Sequence, residues 1–228
     1  MILLGLETAT AQAGVALIGS GGIRASFHLL NEGRHAESLA PAIEFVCRQT
    51  RTDLKDVTAV VVDVGPGRFT GLRVGVATAK AIAFAGNIPI VPVSSLELLA
   101  FPVRLGKRKI VSVIDALSDE VYYGIYEPDS IGGGVRMVAE PVVATPQDLV
   151  MRIRAMDEEV LIVGDGGRRY AEAFAGLNHV EIAPAGLQYP SATSLVEIGE
   201  IRASRGELMS AADVQIFYLR KPYAHLKE

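Results

Sequence analysis

Glu7 and Asp115 each stand where an apolar run, LLGLETA or VSVIDAL, meets small residues. An acid at the end of a buried strand can hold a metal ion, take a proton or cap the turn that follows. Two glycine-rich stretches are the other candidates: GPGRFTGLRVG, Gly65 to Gly75, after the apolar run Val57–Val64, and Gly164-Asp165-Gly166-Gly167. Backbone amides at such strand-to-helix turns are where many proteins hold phosphate. Neither nucleotide fingerprint fits the first stretch. A phosphate loop needs GxxxxGK[ST], but here Gly67 and Gly71 are separated by three residues and Leu72 stands in the lysine place. The dinucleotide pattern GxGxxG needs its third glycine one residue before Gly71. What remains is a tight turn with Thr70 as N-cap, or an anion held on bare amides. GDGG is a weak motif of the same kind.

Metal chemistry has little to work with. His28, His35, His179 and His225 show no paired ligand spacing, and each reads as a surface or structural histidine. Cys47 is the one cysteine, which excludes an intrachain disulfide and a multi-cysteine zinc site.

The elements that position these residues alternate. Three strands are expected at Ile2–Thr8, Ala13–Ile18 and Ile23–Leu30, then a helix at Ala36–Thr50 with Leu39, Ile43 and Val46 on one stripe. A strand (Val57–Val64), a helix (Leu72–Ala85) and a strand (Ile88–Val93) follow, which argues for an α/β sheet flanked by helices. Past the basic stretch VRLGKRK the opening pattern repeats, with strands at Ile110–Asp115, Glu120–Glu127 and Val135–Val143. LLGLETATAQAGVAL and VSVIDALSDEVYYGI share strand, acid, turn, strand, which implies internal duplication. A helix (Pro146–Met156), a strand into Gly164, a helix from Arg168 and a helix at Ser194–Arg205 complete the second half. The expected division is a first lobe of residues 1–104 and a second of 105–228, whose final segment packs back on the first lobe or frays.

Half of the 228 residues are hydrophobic, enough for a substantial core. A net charge of −4 supplies no basic field for non-specific nucleic-acid binding. The start, MILLGLETA, lacks the basic n-region of a signal peptide, and no charge-free apolar stretch reaches the ~18 residues of a membrane helix. The expected compartment is the cytoplasm.

The helix GLRVGVATAKAIAFAG carries Gly71, Gly75, Ala79 and Ala83 at four-residue steps and is apolar nearly all round. Such a helix needs cover on more than one side. Its own sheet supplies one cover, and its neighbour Ala36–Thr50 has apolar residues off its core stripe. Two readings stay open: the pair is an apolar surface awaiting a partner, or it is buried within one large domain. The partner reading assigns contacts to Ala36, Leu39, Ala40, Ile43, Gly71, Leu72, Val74, Gly75, Thr78, Ala79 and Ile82, with Arg73 and Lys80 at the rim or paired across the interface. It expects leucine at Gly75 or Ala79 to break the complex and leave the monomer folded.

The stretch GPGRFTGLRVG, with GLETAT at the start, SDEVYYG in the second half and a closing Tyr218-Leu219-Arg220, resembles the TsaB (YeaZ) family. These are non-catalytic subunits of the bacterial machinery that makes threonylcarbamoyladenosine in tRNA. Arg68, where the family more often has serine, and Gln215-Ile216-Phe217, where a proline is common, are departures. The resemblance implies the two-lobed, ribonuclease H-like fold of actin, Hsp70 and sugar kinases, with mixed sheets flanked by helices. Catalytic members hold ATP between the lobes, so Glu7, Thr8, Asp115, Gly164, Asp165 and Gly166 mark a remnant nucleotide cleft, in which Glu7 and Asp115, without their companion acids, read as capping or turn residues. Ala11 and Gln12 replace two acids of the catalytic paralogue, and Ser95 and Leu99 stand in the places of its His-x-x-x-His metal pair. The resemblance therefore implies no catalytic residues, metal or cofactor on this chain, with ATP and metal on partner subunits. Those partners would be a TsaD-like catalytic subunit and a TsaE-like ATPase, with tRNA bound only through the complex and a homodimer formed alone. The rival is an enzyme of the same fold, a metal-dependent peptidase or a sugar-kinase-like phosphotransferase.

Overall fold

The computed structural model describes residues 1–30, 34–129 and 131–220. Among them two five-stranded sheets are formed. The first contains β1 (Leu3–Glu7), β2 (Gln12–Gly19), β3 (Gly22–Leu30), β4 (Ala59–Asp63) and β5 (Ile90–Val93), ordered β3-β2-β1-β4-β5. The second contains β6 (Lys109–Leu117), β7 (Glu120–Pro128), β8 (Val135–Ala144), β9 (Val160–Val163) and β10 (Val180–Ile182), ordered β8-β7-β6-β9-β10. In each, the first three strands form an antiparallel meander and the last two run parallel to the first. The repeat seen in the sequence is thus a repeat of topology, and the chain has the two-lobed actin-type fold.

The central strands are uniform apolar runs because both of their faces are covered. β1 (LLGLE) and β4 (AVVVD) are buried along their whole length. One face of the first sheet carries α1 (His35–Thr50) and α2 (Phe69–Gly86), through Leu39, Ile43, Val46, Val76 and Ala79. The other face carries α7 (Ala192–Ser204), through Ala192, Leu195 and Val196. The second sheet is covered on one side by α4 (Pro146–Arg154) and the short α6 (Ala171–Phe174). Its other side takes α3 (Ser95–Ala100), through Leu96 and Leu99.

Core membership therefore crosses residue 104. α3 follows the last strand of the first sheet yet packs on the second, and α7 follows the last strand of the second sheet yet packs on the first. The segment after α7 also returns to the first lobe: Met209 and Ile90 exchange backbone hydrogen bonds and Val214 is buried in its core.

Two helices start three residues before the positions read from the sequence. α2 begins at Phe69 with Arg68 as N-cap and no side-chain cap, so Thr70 lies inside the first turn. The helix expected from Arg168 begins at Asp165 as α5 (Asp165–Arg169), because Gly164, at φ 107°, makes the turn. His225 and the end of the polar tail lie outside the described residues.

Candidate functional site

The α1–α2 pair divides the residues expected to bind a partner into two sets. Ala40, Ile43, Thr78 and Ile82 line a groove of about 720 Å³ between the helices, with Cys47 and Leu54. Polar residues, Glu44, Arg48, Arg51 and Asp53, share its walls. Ala36, Gly71 and Val74 line a second hollow of about 510 Å³, where the N-termini of both helices meet His35, Arg68, Phe69 and Leu117. Apolar surface of this kind, left uncovered by its own lobe, is where a partner gains most by removing water.

Leu39, Leu72, Gly75 and Ala79 belong to the other set, and here the sequence reading is corrected. Leu39, Leu72 and Ala79 are at most 2% exposed, facing the sheet. Gly75 is buried, and a Cβ there would stand 2.3 Å from the Thr8 hydroxyl oxygen. Gly71 also faces β1's end, where a Cβ would stand 2.0 Å from the Thr8 carbonyl oxygen. The small-residue stripe lets α2 lie close to the chain after β1, and that requirement is internal. The Thr8 hydroxyl completes the contact by donating to the Gly71 carbonyl at 2.8 Å. Arg73 is likewise occupied within the chain: its guanidinium lies 3.6 Å from the Phe69 ring centroid and its Nε donates to the Tyr218 hydroxyl at 3.4 Å. Phe84, 86% exposed, extends the apolar surface at the far end of α2.

The acids at the strand ends are turned toward their own backbone. Glu7 Oε1 accepts from the Ala9 amide at 2.8 Å, and Asp115 Oδ1 from the Leu117 amide at 3.1 Å. The two lobes thus close the turn after their first strand in the same way, each acid capping the amide two residues on. Asp63, at the end of β4, repeats the device on Gly65 at 2.8 Å and also accepts from the Ser95 hydroxyl at 2.6 Å. Ser95, in one of the paralogue's histidine places, is thus a buried donor to a carboxylate.

Burial dominates the electrostatics of this group. Glu7 is completely buried, and desolvation, reinforced by Asp63, pushes its carboxyl well above the usual range. Burial lifts Asp63 to about 7, against the hydrogen bonds from Ser95 and Gly65. Glu7 Oε2 and Asp63 Oδ2 have no hydrogen-bond partner, which favours the protonated form of the pair. Asp165 is raised to about 6 by burial, against the bond it accepts from the Asp115 amide. Gly164 and Gly166 are closed by neighbouring backbone: a Cβ on Gly164 would stand 2.1 Å from the Val113 carbonyl oxygen. The residues of the expected nucleotide cleft therefore gather at the strand ends, but as turn-forming groups. Asp63 was missed in the sequence, although an acid inside VVVDVG was a visible signal.

The three described histidines are structural. His35 is buried and donates from Nε2 to the Thr10 carbonyl at 2.8 Å. His28 Nε2 accepts from the Ala192 amide at 3.2 Å, capping the start of α7, and partial burial there lowers its pKa. His179 donates to the Ile153 carbonyl at 3.3 Å. Among the described residues no cluster of three His, Cys, Asp or Glu side chains could hold a metal ion, and no helix is long and apolar enough to cross a membrane.

Two of the four cations of the basic stretch are paired with acids. Arg108 pairs with Glu181, and Lys109 lies 2.6 Å from Glu127 and 3.6 Å from Glu158.

Comparison with known proteins places this arrangement. The model of the family described as TsaD, tRNA N6-adenosine threonylcarbamoyltransferase, matches residues 30–227. The tRNA threonylcarbamoyladenosine biosynthesis protein TsaB of Escherichia coli is 26% identical over 100% of this chain and 98% of its own. That of Bacillus subtilis is 30% identical over 72% of this chain and 71% of its own. The solved structure of YeaZ from Pseudomonas aeruginosa is 27% identical, with a TM-score of 0.84 over 96% of this chain and 99% of that one. The ethanolamine utilization protein EutJ of Carboxydothermus hydrogenoformans, 10% identical with a TM-score of 0.55, shares the fold. By family model, relatives and solved structure alike, the chain belongs to the TsaB (YeaZ) branch of the threonylcarbamoyltransferase family.

Proposed function

We propose that the chain is a non-catalytic scaffold subunit of the cytoplasmic complex that forms N6-threonylcarbamoyladenosine in tRNAs reading codons that start with A. Its α1–α2 groove takes the matching helices of a TsaD-like catalytic paralogue. A TsaE-like ATPase joins the heterodimer, ATP and metal sit on the partners, and tRNA is bound through the assembly. Alone, the same surface pairs with a second copy. The observation that carries this reading is the groove of about 720 Å³ lined by Ala40, Ile43, Thr78 and Ile82. The strand-end acids support the non-catalytic part: Glu7 and Asp63 are 0% exposed and hold their own turns. A general base must be within hydrogen-bond reach of substrate, and these are not.

The test is a mixing experiment on a sizing column with a TsaD-like catalytic subunit, followed by tRNA modification in the reconstituted system. Wild type is expected to co-elute and support modification. Thr78→Arg, which puts a charge in the groove, is expected to stay folded and elute alone. Co-elution and full modification by Thr78→Arg would overturn the interface; turnover of ATP by the chain alone would overturn the scaffold reading.

A further inference from the structure

The segment after α7 crosses from one lobe to the other in a few residues. Met209 is fixed to Ile90 by two backbone hydrogen bonds of 2.9 Å, and Val214 is 1% exposed in the first-lobe core. The Phe217 amide donates to the Val64 carbonyl at 2.8 Å. The Phe217 side chain shares a cavity of about 350 Å³ with Tyr126, Val135 and Met137 of the second lobe. Tyr218 packs on Phe69 at 5.4 Å between ring centroids and accepts from Arg73. Two residues later Arg220 is ion-paired with Glu120, the first residue of β7.

Glu120 closes an unusual turn. Leu117, Ser118 and Asp119 all lie in the left-handed region, at φ 61°, 54° and 57°. L-residues stay there only where their surroundings hold them. Asp115 caps the Leu117 amide, and Arg169 lies 3.3 Å from the Asp115 carboxylate. Leu117 lines the hollow against Phe69, Thr70 and Gly71 of α2's first turn.

We propose that Met209–Arg220 is an interlobe latch: Arg220 grips Glu120 and holds the left-handed β6–β7 turn against the start of α2, while Tyr218 on Phe69 aims the arginine. An ion pair as exposed as this one is weak by itself. Its weight comes from Tyr218, which fixes the approach of Arg220. The latch has a built-in release. Whatever lies on the Phe69–Arg73 face and displaces Tyr218 also loosens Arg220, and the turn with Leu117 comes away from α2. This device belongs to the chain alone and does not depend on the scaffold reading.

Hydrogen exchange by mass spectrometry on the full chain tests it. Arg220→Gln and Tyr218→Ala are each expected to speed exchange of the 117–120 amides about tenfold, with β1 and the 109–115 part of β6 unchanged. The double variant should exchange no faster than either single one, because both act through one grip. The charge swap Arg220→Glu with Glu120→Arg should restore protection, which a merely destabilised chain would not show. Wild-type exchange at 117–120 in Arg220→Gln, or an effect of Tyr218→Ala confined to α2, overturns the proposal.

Discussion

Gly75 and Thr8 are in contact across the α2–β1 packing: a Cβ on Gly75 would stand 2.3 Å from the Thr8 hydroxyl oxygen. That hydroxyl is held by its bond to the Gly71 carbonyl, so it does not simply swing away. Gly75→Leu is therefore expected to lose folding stability, by about 3 kcal/mol or more, as overpacking at a buried site does. Urea denaturation of the isolated chain measures this. A midpoint equal to wild type would show that the stripe faces outward after all.

Groove positions should behave in the opposite way. Ala40 is exposed, and Ala40→Glu changes only the wall of the α1–α2 groove. Monomer stability is expected to stay within about 0.5 kcal/mol, the usual range for surface changes. Association through the groove, with a second copy or with the paralogue, should weaken at least about tenfold because the charge must be buried unpaired. Analytical ultracentrifugation reads the first and titration with the paralogue the second; unaltered affinity in both would exclude this wall from any contact.

The acid pair predicts a pH dependence. Asp63 is raised to about 7 in the folded chain, so the folded state holds a proton that the unfolded state has released. The sign follows: its contribution to stability is complete below its unfolded pKa, near 4, and is lost as pH rises toward 7. Asp63→Asn keeps an acceptor for Gly65 and Ser95 and removes the titration. Its stability should vary less between pH 5 and 8 than that of wild type. Equal slopes in thermal melts across that range would show that Asp63 is ionised when folded.

His28 gives the opposite slope. Partial burial against α7 lowers the pKa of this otherwise exposed ring, and its neutral Nε2 accepts from the Ala192 amide. The folded chain disfavours the imidazolium, so this contribution is present above the unfolded pKa near 6.5 and is lost as pH falls below it. His28→Gln is expected to flatten that acid-side loss, and His28→Ala to cost about 1 kcal/mol at neutral pH, as loss of a helix cap does. Amide exchange at Ala192 unaffected by His28→Ala would rule out the cap.

Nine of the ten strands among the described residues, and the repeat, were legible in the sequence because they depend on local pattern; the three-residue β10 was not. β4 is an unbroken apolar run, and GLETA and VIDAL each mark where a strand gives way to a turn. The direction of a helix face was harder. α2 is apolar nearly all round, so periodicity could not say whether Gly75 and Ala79 or Thr78 and Ile82 met the sheet. The answer lies in the close approach of Thr8, far away in sequence. The crossing of α3 and α7 to opposite sheets was invisible for the same reason. Both sheets offered apolar faces, and only assembled geometry assigns each helix to one. The roles of Tyr218 and Arg220 depend on partners some 100 residues or more away in the chain.

The acidic partners of the 108–109 stretch bear on how a polyanion meets this chain. Arg108 and Lys109 already face carboxylates, so an incoming phosphate backbone must first displace Glu181, Glu127 and Glu158. The counterions that binding releases are those condensed on the nucleic acid, and a lysine or arginine already paired with a carboxylate releases fewer of them. Attachment of RNA through Arg108 and Lys109 alone should therefore depend only weakly on ionic strength.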